Sequence, residues 1–148
     1  MVMLRKNNAF GMIEAIIALS ITCIVLSISI TGINQYKLRI EEKQFLQSFK
    51  FSWTNTLNYS YLSNSTCEMI VLPDEQKIVF KDIDGNKELN VVKIPEYIKY
   101  GNGGSKIIKI NGSSKGYTII FISSLSGKRY TFKVQLHWGE ILENVEKI

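Results

Sequence analysis

The longest apolar run in the chain lies near its amino terminus and limits what the chain can fold into. It extends from Phe10 to Ile33 and contains a single charged residue, Glu14. As an α-helix with a rise of about 1.5 Å per residue, it would measure about 36 Å, which exceeds the roughly 30 Å thickness of a bilayer's hydrocarbon core. The run therefore predicts a membrane-spanning helix, with the preceding Arg5 and Lys6 on the cytoplasmic side.

The ends and the charge of this run distinguish several kinds of apolar segment. A cleaved secretory signal peptide would have a shorter apolar region followed by small residues, and Thr31–Asn34 is a poor cleavage site of that type. A plain signal anchor fits the length but leaves Glu14 unexplained. A carboxylate in a membrane helix is costly, so it normally has a partner, a function or a hydrated position near the interface.

The residues around the start of the run form a longer pattern. Two basic residues are followed by the small Ala9 and then by Phe10, and Glu14 is the fifth residue counted from Phe10. This arrangement resembles the processing motif of type IV prepilins and pseudopilins, in which glycine is commoner at the position of Ala9. The resemblance implies a leader peptide at 1–9, cleavage between Ala9 and Phe10 by a prepilin peptidase, N-methylation of Phe10, and retention of the apolar helix at 10–33.

The same resemblance implies a role for Glu14 in filament assembly. In the filaments of this family, the corresponding carboxylate is thought to pair with the new terminal amine of a neighbouring subunit. Removal of one partner from a buried ion pair costs about 3–5 kcal/mol, so such a contact would hold the stacked apolar helices in one register.

The helical pattern continues beyond the apolar run but becomes amphipathic. Apolar residues recur at steps of three and four, at Tyr36 and Ile40 and then at Leu46, Phe49, Trp53 and Leu57. This spacing predicts a continuation of the helix over 34–60, with its apolar stripe packed on the sheet of the same chain. A coiled-coil partner surface would need more heptads than this segment provides. Ser60–Thr66 is rich in small polar residues and predicts the loop that leaves the helix.

The remainder of the chain, 67–148, predicts an antiparallel β-sheet head. Five short apolar runs bounded by turn residues predict strands at Glu68–Leu72, Lys77–Lys81, Glu88–Val92, Ile107–Ile110 and Tyr117–Ile122. Asp84-Gly85-Asn86 between the second and third runs is a typical hairpin signal. The predicted fold class is α+β: a long N-terminal helix, membrane-spanning in its first half and amphipathic in its second, packed on a C-terminal antiparallel sheet. This layout is similar to that of pilins.

A sixth and longer strand is predicted at Arg129–Trp138. Its apolar residues (Tyr130, Phe132, Val134, Leu136 and Trp138) alternate with polar ones (Arg129, Thr131, Lys133, Gln135 and His137). The apolar face is expected to pack on the amphipathic helix. The basic and polar face fits either a solvated surface or contact with a DNA backbone.

The head contains no pattern typical of a catalytic or metal site. Cys23 lies in the apolar run and Cys67 in the polar region beyond it, so a disulfide between them is not expected. His137 is the only histidine, and it has no second histidine or cysteine with which to form a metal site. Glu41 and Glu42 are expected on a helix face, where carboxylates are common. We therefore expect no enzyme activity, no cofactor and no bound metal.

These observations predict a structural subunit of an extracytoplasmic filament. The chain resembles the minor pseudopilins of the Gram-positive competence pilus (the ComGD-type group), which implies a part in pilus assembly and DNA uptake during transformation. The implied partners are the major and minor pilins of one filament, the prepilin peptidase and the membrane, with DNA contact indirect. The implied location is the cell membrane, with the head outside, and then the cell-surface pilus.

The alternatives are a type II secretion pseudopilin and a membrane-tethered binding protein, either an adhesin or a DNA receptor. The net charge of +5 is too small to indicate nucleic-acid binding by itself.

Overall fold

The computed structural model describes residues 11–111, 115–135 and 139–148. One long α-helix, α1 (Met12–Ser63), precedes eight β-strands, and this order confirms the predicted α+β class. By backbone contacts the chain divides into two compact units, with the boundary in the sequence between Lys37 and Leu38. The first unit holds the apolar part of α1, and the second holds the rest of α1 together with all the strands.

The helix ends three residues later than the sequence predicts. Ser63 Oγ donates a hydrogen bond to the carbonyl oxygen of Tyr59, one turn earlier, which keeps this small polar residue in the helix. Asn64 follows with a φ of 50°, the left-handed conformation that commonly terminates helices. The predicted loop at Ser60–Thr66 therefore begins only at Asn64.

The strands form two four-stranded antiparallel sheets rather than the single sheet that the sequence predicts. The strands are β1 (Cys67–Leu72), β2 (Lys77–Asp82), β3 (Lys87–Lys93), β4 (Ile98–Tyr100), β5 (Lys106–Ile110), β6 (Tyr117–Ser123), β7 (Lys128–Val134) and β8 (Ile141–Lys147). Sheet 1 has the order β3-β2-β1-β5, and sheet 2 has the order β4-β6-β7-β8. Five predicted strands are found within one residue of their predicted bounds.

The predicted sixth strand is too long. β7 ends at Val134, and the chain then turns back, because Gln135 N–H donates to the carbonyl oxygen of Glu140 and Gly139 N–H donates to that of Gln135. The predicted Leu136, His137 and Trp138 lie outside the described residues. β8 follows this turn and pairs with β7 in antiparallel register. Neither β8 nor the three-residue β4 was predicted, since β8 is an exposed edge strand and β4 is too short to show alternation.

The second half of α1 packs against both sheets. Leu46, Phe49, Trp53 and Leu57 are buried, as their spacing predicts, whereas Tyr36 and Ile40 at the start of the predicted stripe are exposed. The Phe49 ring lies 6.5 Å from that of Phe80 in sheet 1, and 5.2 and 5.0 Å from those of Phe121 and Phe132 in sheet 2 (centroid distances). The helix thus supplies the apolar layer that both sheets share.

Trp53 also fixes the turn between β7 and β8. Its indole Nε1–H donates to the Gly139 carbonyl oxygen at 2.8 Å. Gly139 has a φ of +67°, and a Cβ at this position would lie 2.8 Å from Leu57 Cδ1. Any other residue would therefore be strained here and would collide with the helix.

Candidate functional site

The first part of α1 presents an apolar surface all around its circumference. Its large apolar side chains are each more than half exposed, namely Met12, Ile13, Ile16, Ile17, Leu19, Ile21, Ile24, Val25, Leu26 and Ile28. Within the described residues, this is the helix that is long and apolar enough to cross a membrane. An apolar surface of this extent normally contacts lipid or the helices of other molecules.

Three hydroxyl groups described in this segment are satisfied within the helix itself. Ser20, Thr22 and Ser27 each donate a hydrogen bond of 2.8 Å to the carbonyl oxygen four residues earlier. A polar group without a partner is costly in a hydrocarbon environment, because water cannot replace the missing hydrogen bond. These three hydroxyl groups are therefore compatible with burial of the segment in lipid or among apolar helices.

Glu14 lies in the first turn of α1. Its Oε2 accepts a hydrogen bond of 2.5 Å from the backbone N–H of Gly11, the residue just before the helix. This is one half of a capping box, and it places a negative charge at the positive end of the helix dipole. The predicted processing residues Ala9 and Phe10 lie outside the described residues. The carboxylate consequently contacts the residue that directly follows the predicted new terminus.

A second carboxylate on α1 is buried in the head. Glu42 is only 3% exposed, and its Oε1 accepts hydrogen bonds from Ser126 Oγ at 2.6 Å and from Tyr130 Oη at 2.8 Å. Burial is the main cause that raises the pKa of the Tyr130 hydroxyl, and the hydrogen bond to Glu42 raises it further. Glu42 therefore lies on a face of the helix, as expected, but that face is the buried one. The spacing held a signal for this, because Glu42 precedes Leu46 by four residues and Phe49 by seven.

A third acidic group joins the end of α1 to the β2–β3 hairpin. Tyr59 Oη donates to Asp82 Oδ2 at 3.2 Å, and the backbone N–H of Asp84 donates to Asp82 Oδ1 at 3.1 Å. Asp84 in turn accepts a hydrogen bond of 2.7 Å from the backbone N–H of Thr66. The hydrogen bond to Asp82 is the first cause that raises the pKa of the Tyr59 hydroxyl. These carboxylates hold the chain where it leaves the helix, which is a structural role.

The cysteines and carboxylates of the described residues form no group that could hold a metal ion. Cys23 and Cys67 are both free thiols. Cys67 is fully buried, and burial raises its pKa, which disfavours the reactive thiolate. The single histidine, His137, lies outside the described residues.

The outer face of sheet 2 carries the basic residues that the alternation in β7 predicts. Tyr130, Phe132 and Val134 are buried, while Arg129 and Lys133 are exposed on the opposite face. Lys99 of β4 lies on the same outer face, because it pairs with Ile122 and Ile122 pairs with Arg129.

Comparison of the chain with protein-family models, curated proteins and solved structures found no match in any of the three.

Proposed function

We propose that this protein is a minor pilin-like (pseudopilin) subunit of a competence filament, which the apolar part of α1 holds in the membrane before assembly. The observation that carries the proposal is a helical segment with large apolar side chains exposed around its circumference and one carboxylate, Glu14, in its first turn. A plain membrane anchor needs the apolar surface but has no use for the carboxylate. A subunit that exchanges lipid contacts for contacts with other helices uses both.

The position of Glu14 supports a role in assembly. Cleavage between Ala9 and Phe10 would leave Gly11 as the second residue of the mature chain. Glu14 already accepts a hydrogen bond from the Gly11 N–H, so its carboxylate is one residue away from the new terminal amine. An amine from a neighbouring subunit could replace this local contact and form a charge-assisted hydrogen bond in an apolar environment, where such bonds are strong. The partners in this proposal are the other pilins of the filament and the prepilin peptidase.

Mass spectrometry of the mature amino terminus tests the processing step. The chain is produced with its prepilin peptidase, and the product is expected to begin at Phe10 with one added methyl group. Ala9→Gly should be processed at least as well, because glycine is the smallest residue, whereas Ala9→Leu should block cleavage. An intact Met1 in the presence of active peptidase, or a cut after Gly32, would show that the prepilin interpretation is wrong.

Glu14→Gln tests the assembly step separately. Glutamine keeps the shape and one carbonyl acceptor but removes the charge, so membrane insertion and cleavage should persist while incorporation into sheared filaments falls at least tenfold. Glu140→Gln, a change of an exposed carboxylate in the head, is the matched control and should assemble normally. Equal recovery of the Glu14→Gln variant and the unaltered chain in filaments would remove the pairing argument.

One surface favours a second candidate function, direct contact with DNA by a membrane-tethered head. Lys99, Arg129 and Lys133 share the outer face of sheet 2, and such clusters can bind phosphates without sequence preference. Binding of the full chain in detergent micelles to duplex DNA should then fall steeply as salt rises. Simultaneous replacement of the three residues by glutamine should abolish it. Weak binding that does not depend on salt would leave this candidate without support.

A further inference from the structure

The outer face of sheet 1, which is turned away from α1, has its side chains arranged in rows that cross all four strands. The apolar row consists of Val91, Val79, Ile70 and Ile107, which are cross-strand neighbours in the order β3-β2-β1-β5. Ile107 is 61% and Val91 39% exposed at the two edges, and the central pair is half-buried. The row is therefore a continuous apolar strip across the sheet.

A second row beside the strip is made of charged residues. In the same strand order this charged row consists of Glu88, Lys81, Glu68 and Lys109. The signs alternate as negative, positive, negative and positive. The central pair forms an ion pair of 2.8 Å between Lys81 Nζ and Glu68 Oε1, while Glu88 and Lys109 are exposed at the edges. On the other side of the strip, Lys93, Lys77 and Leu72 form a third row.

An alternating row with an even number of charges is complementary to its own reverse. A two-fold axis parallel to the strands, passing between β2 and β1, reverses the strand order in the second copy. Glu88 then faces the partner subunit's Lys109, and Lys81 faces the partner subunit's Glu68. In the apolar row, Val91 faces the partner subunit's Ile107 and Val79 faces the partner subunit's Ile70. In the third row, Lys77 faces the partner subunit's Leu72. No pair of like charges is opposed among these positions, which is the condition for a favourable face-to-face contact.

We propose that the outer face of sheet 1 is an isologous interface with a second copy of this chain. A two-fold axis along the apolar row, perpendicular to the strands, is excluded as an alternative. It would exchange the charged row with the third row, and Lys77 would then face the partner subunit's Lys81. The outer face of sheet 2 has no row of alternating charges that is complementary to its own reverse. Reversal of its strand order would place Arg129 over the partner subunit's Ile122. Sheets packed in this way lie about 10 Å apart with nearly aligned strands.

The size of the face determines the strength of the contact. Four strands span about 19 Å, and five residues along a strand span about 17 Å, so each copy contributes roughly 300 Å² of flat sheet. Stable complexes bury about 800 Å² per partner. The dimer is therefore weak in dilute solution and forms where copies are concentrated, as on a membrane. The proposal does not depend on pilin processing or on filament assembly.

Isotope-resolved cross-linking tests the contact directly. Full chains labelled with ¹⁴N and ¹⁵N are mixed in detergent micelles and treated with a carbodiimide, which joins a carboxylate to an amine without a spacer. We expect mixed-isotope products that join Glu88 to Lys109. The Lys81–Glu68 pair provides an internal control for the reagent, because this pair also reacts within one chain.

Charge reversal distinguishes this geometry from association through the helix. In E88K the new lysine of each copy faces Lys109 of the other copy, so like charges are opposed at both symmetry-related contacts. The dimer dissociation constant should rise about tenfold or more. The double variant E88K/K109E restores complementarity and should restore both the affinity and the mixed-isotope product between positions 88 and 109. E146K, which changes an exposed carboxylate on edge strand β8, is the matched control and should have no effect.

Three results would overturn the proposal. The first is the absence of mixed-isotope products between positions 88 and 109 in the unaltered chain at about 100 µM, where a weak interface of this class is populated. The second is an equal effect of E88K and E146K. The third is a failure of K109E to rescue E88K, which would mean that position 88 does not face position 109 of the partner subunit.

Discussion

Phe49 provides the sharpest test of how the helix and the two sheets form one head. Its side chain is fully buried and its ring contacts one phenylalanine of sheet 1 and two of sheet 2, at centroid distances of 6.5, 5.2 and 5.0 Å. Phe49→Ala removes these contacts and leaves a cavity between the sheets. Substitutions of this kind cost about 3–5 kcal/mol, and the value should lie near the upper end because three aromatic pairs are lost together.

This cost is a large part of the roughly 5–15 kcal/mol that stabilises an ordinary domain. Urea unfolding of the full chain in detergent micelles, followed by tryptophan fluorescence, should show the midpoint lowered by about 2 M. Phe51→Ala is the matched control, because Phe51 lies two residues away on the same helix and is 64% exposed. We expect that variant to change the midpoint little. Equal shifts for the two variants would refute the inference that the buried stripe of α1 joins the sheets.

Three further changes probe the polar groups of the head. Glu42→Ala should lower the free energy of unfolding by about 2–4 kcal/mol, because it leaves the buried hydroxyl of Tyr130 and the half-buried hydroxyl of Ser126 without their acceptor; an unchanged urea midpoint would contradict this role. Tyr100→Phe should stabilise the head by about 1 kcal/mol, since the Tyr100 hydroxyl is buried without a hydrogen-bond partner among the described residues, and a destabilised variant would reveal a partner. Because burial raises the pKa of Tyr100, its hydroxyl ionises in the unfolded chain from about pH 10 but stays neutral in the folded head until a higher pH, so the head loses stability as the pH rises from about 10 to the folded pKa. The fall in melting temperature above about pH 10 should therefore be smaller for Tyr100→Phe, which cannot ionise. Cys67 should react with a thiol reagent only as fast as the head unfolds, and rapid labelling in the native state would show that its burial is incomplete.

Local features of the fold could be predicted from the chain because they depend on neighbouring residues. The three-and-four spacing of Leu46, Phe49, Trp53 and Leu57 identified the buried stripe of α1, and apolar runs bounded by turn residues identified five strands within one residue of their bounds. Errors arose where the polarity of a residue and its position in the helical spacing disagree. Glu42 is hydrophilic but lies on the buried face, since two hydroxyls from the β6–β7 hairpin satisfy it.

In the candidate site, too, some features follow from neighbouring residues and others do not. The apolar run and the position of Glu14 in its first turn follow directly from the order of residues, because hydrophobicity and helical rise act along the chain. The predicted pairing of Glu14 with a neighbouring amine stays a prediction, and Ala9 and Phe10 lie outside the described residues. The membrane-spanning length of the helix is a property that any chain with this uninterrupted apolar run would have.

The sequence by itself determined a long helix, apolar and then amphipathic, followed by antiparallel strands. Only the tertiary structure decided that the strands divide into two sheets on one helix, and that Glu88, Lys81, Glu68 and Lys109 form one row. The physical reason is that strand pairing joins residues far apart in the chain, and its register depends on which faces can be buried together. No local pattern relates position 88 to position 109, so the alternating charges, and the interface that they support, arise from the sheet itself.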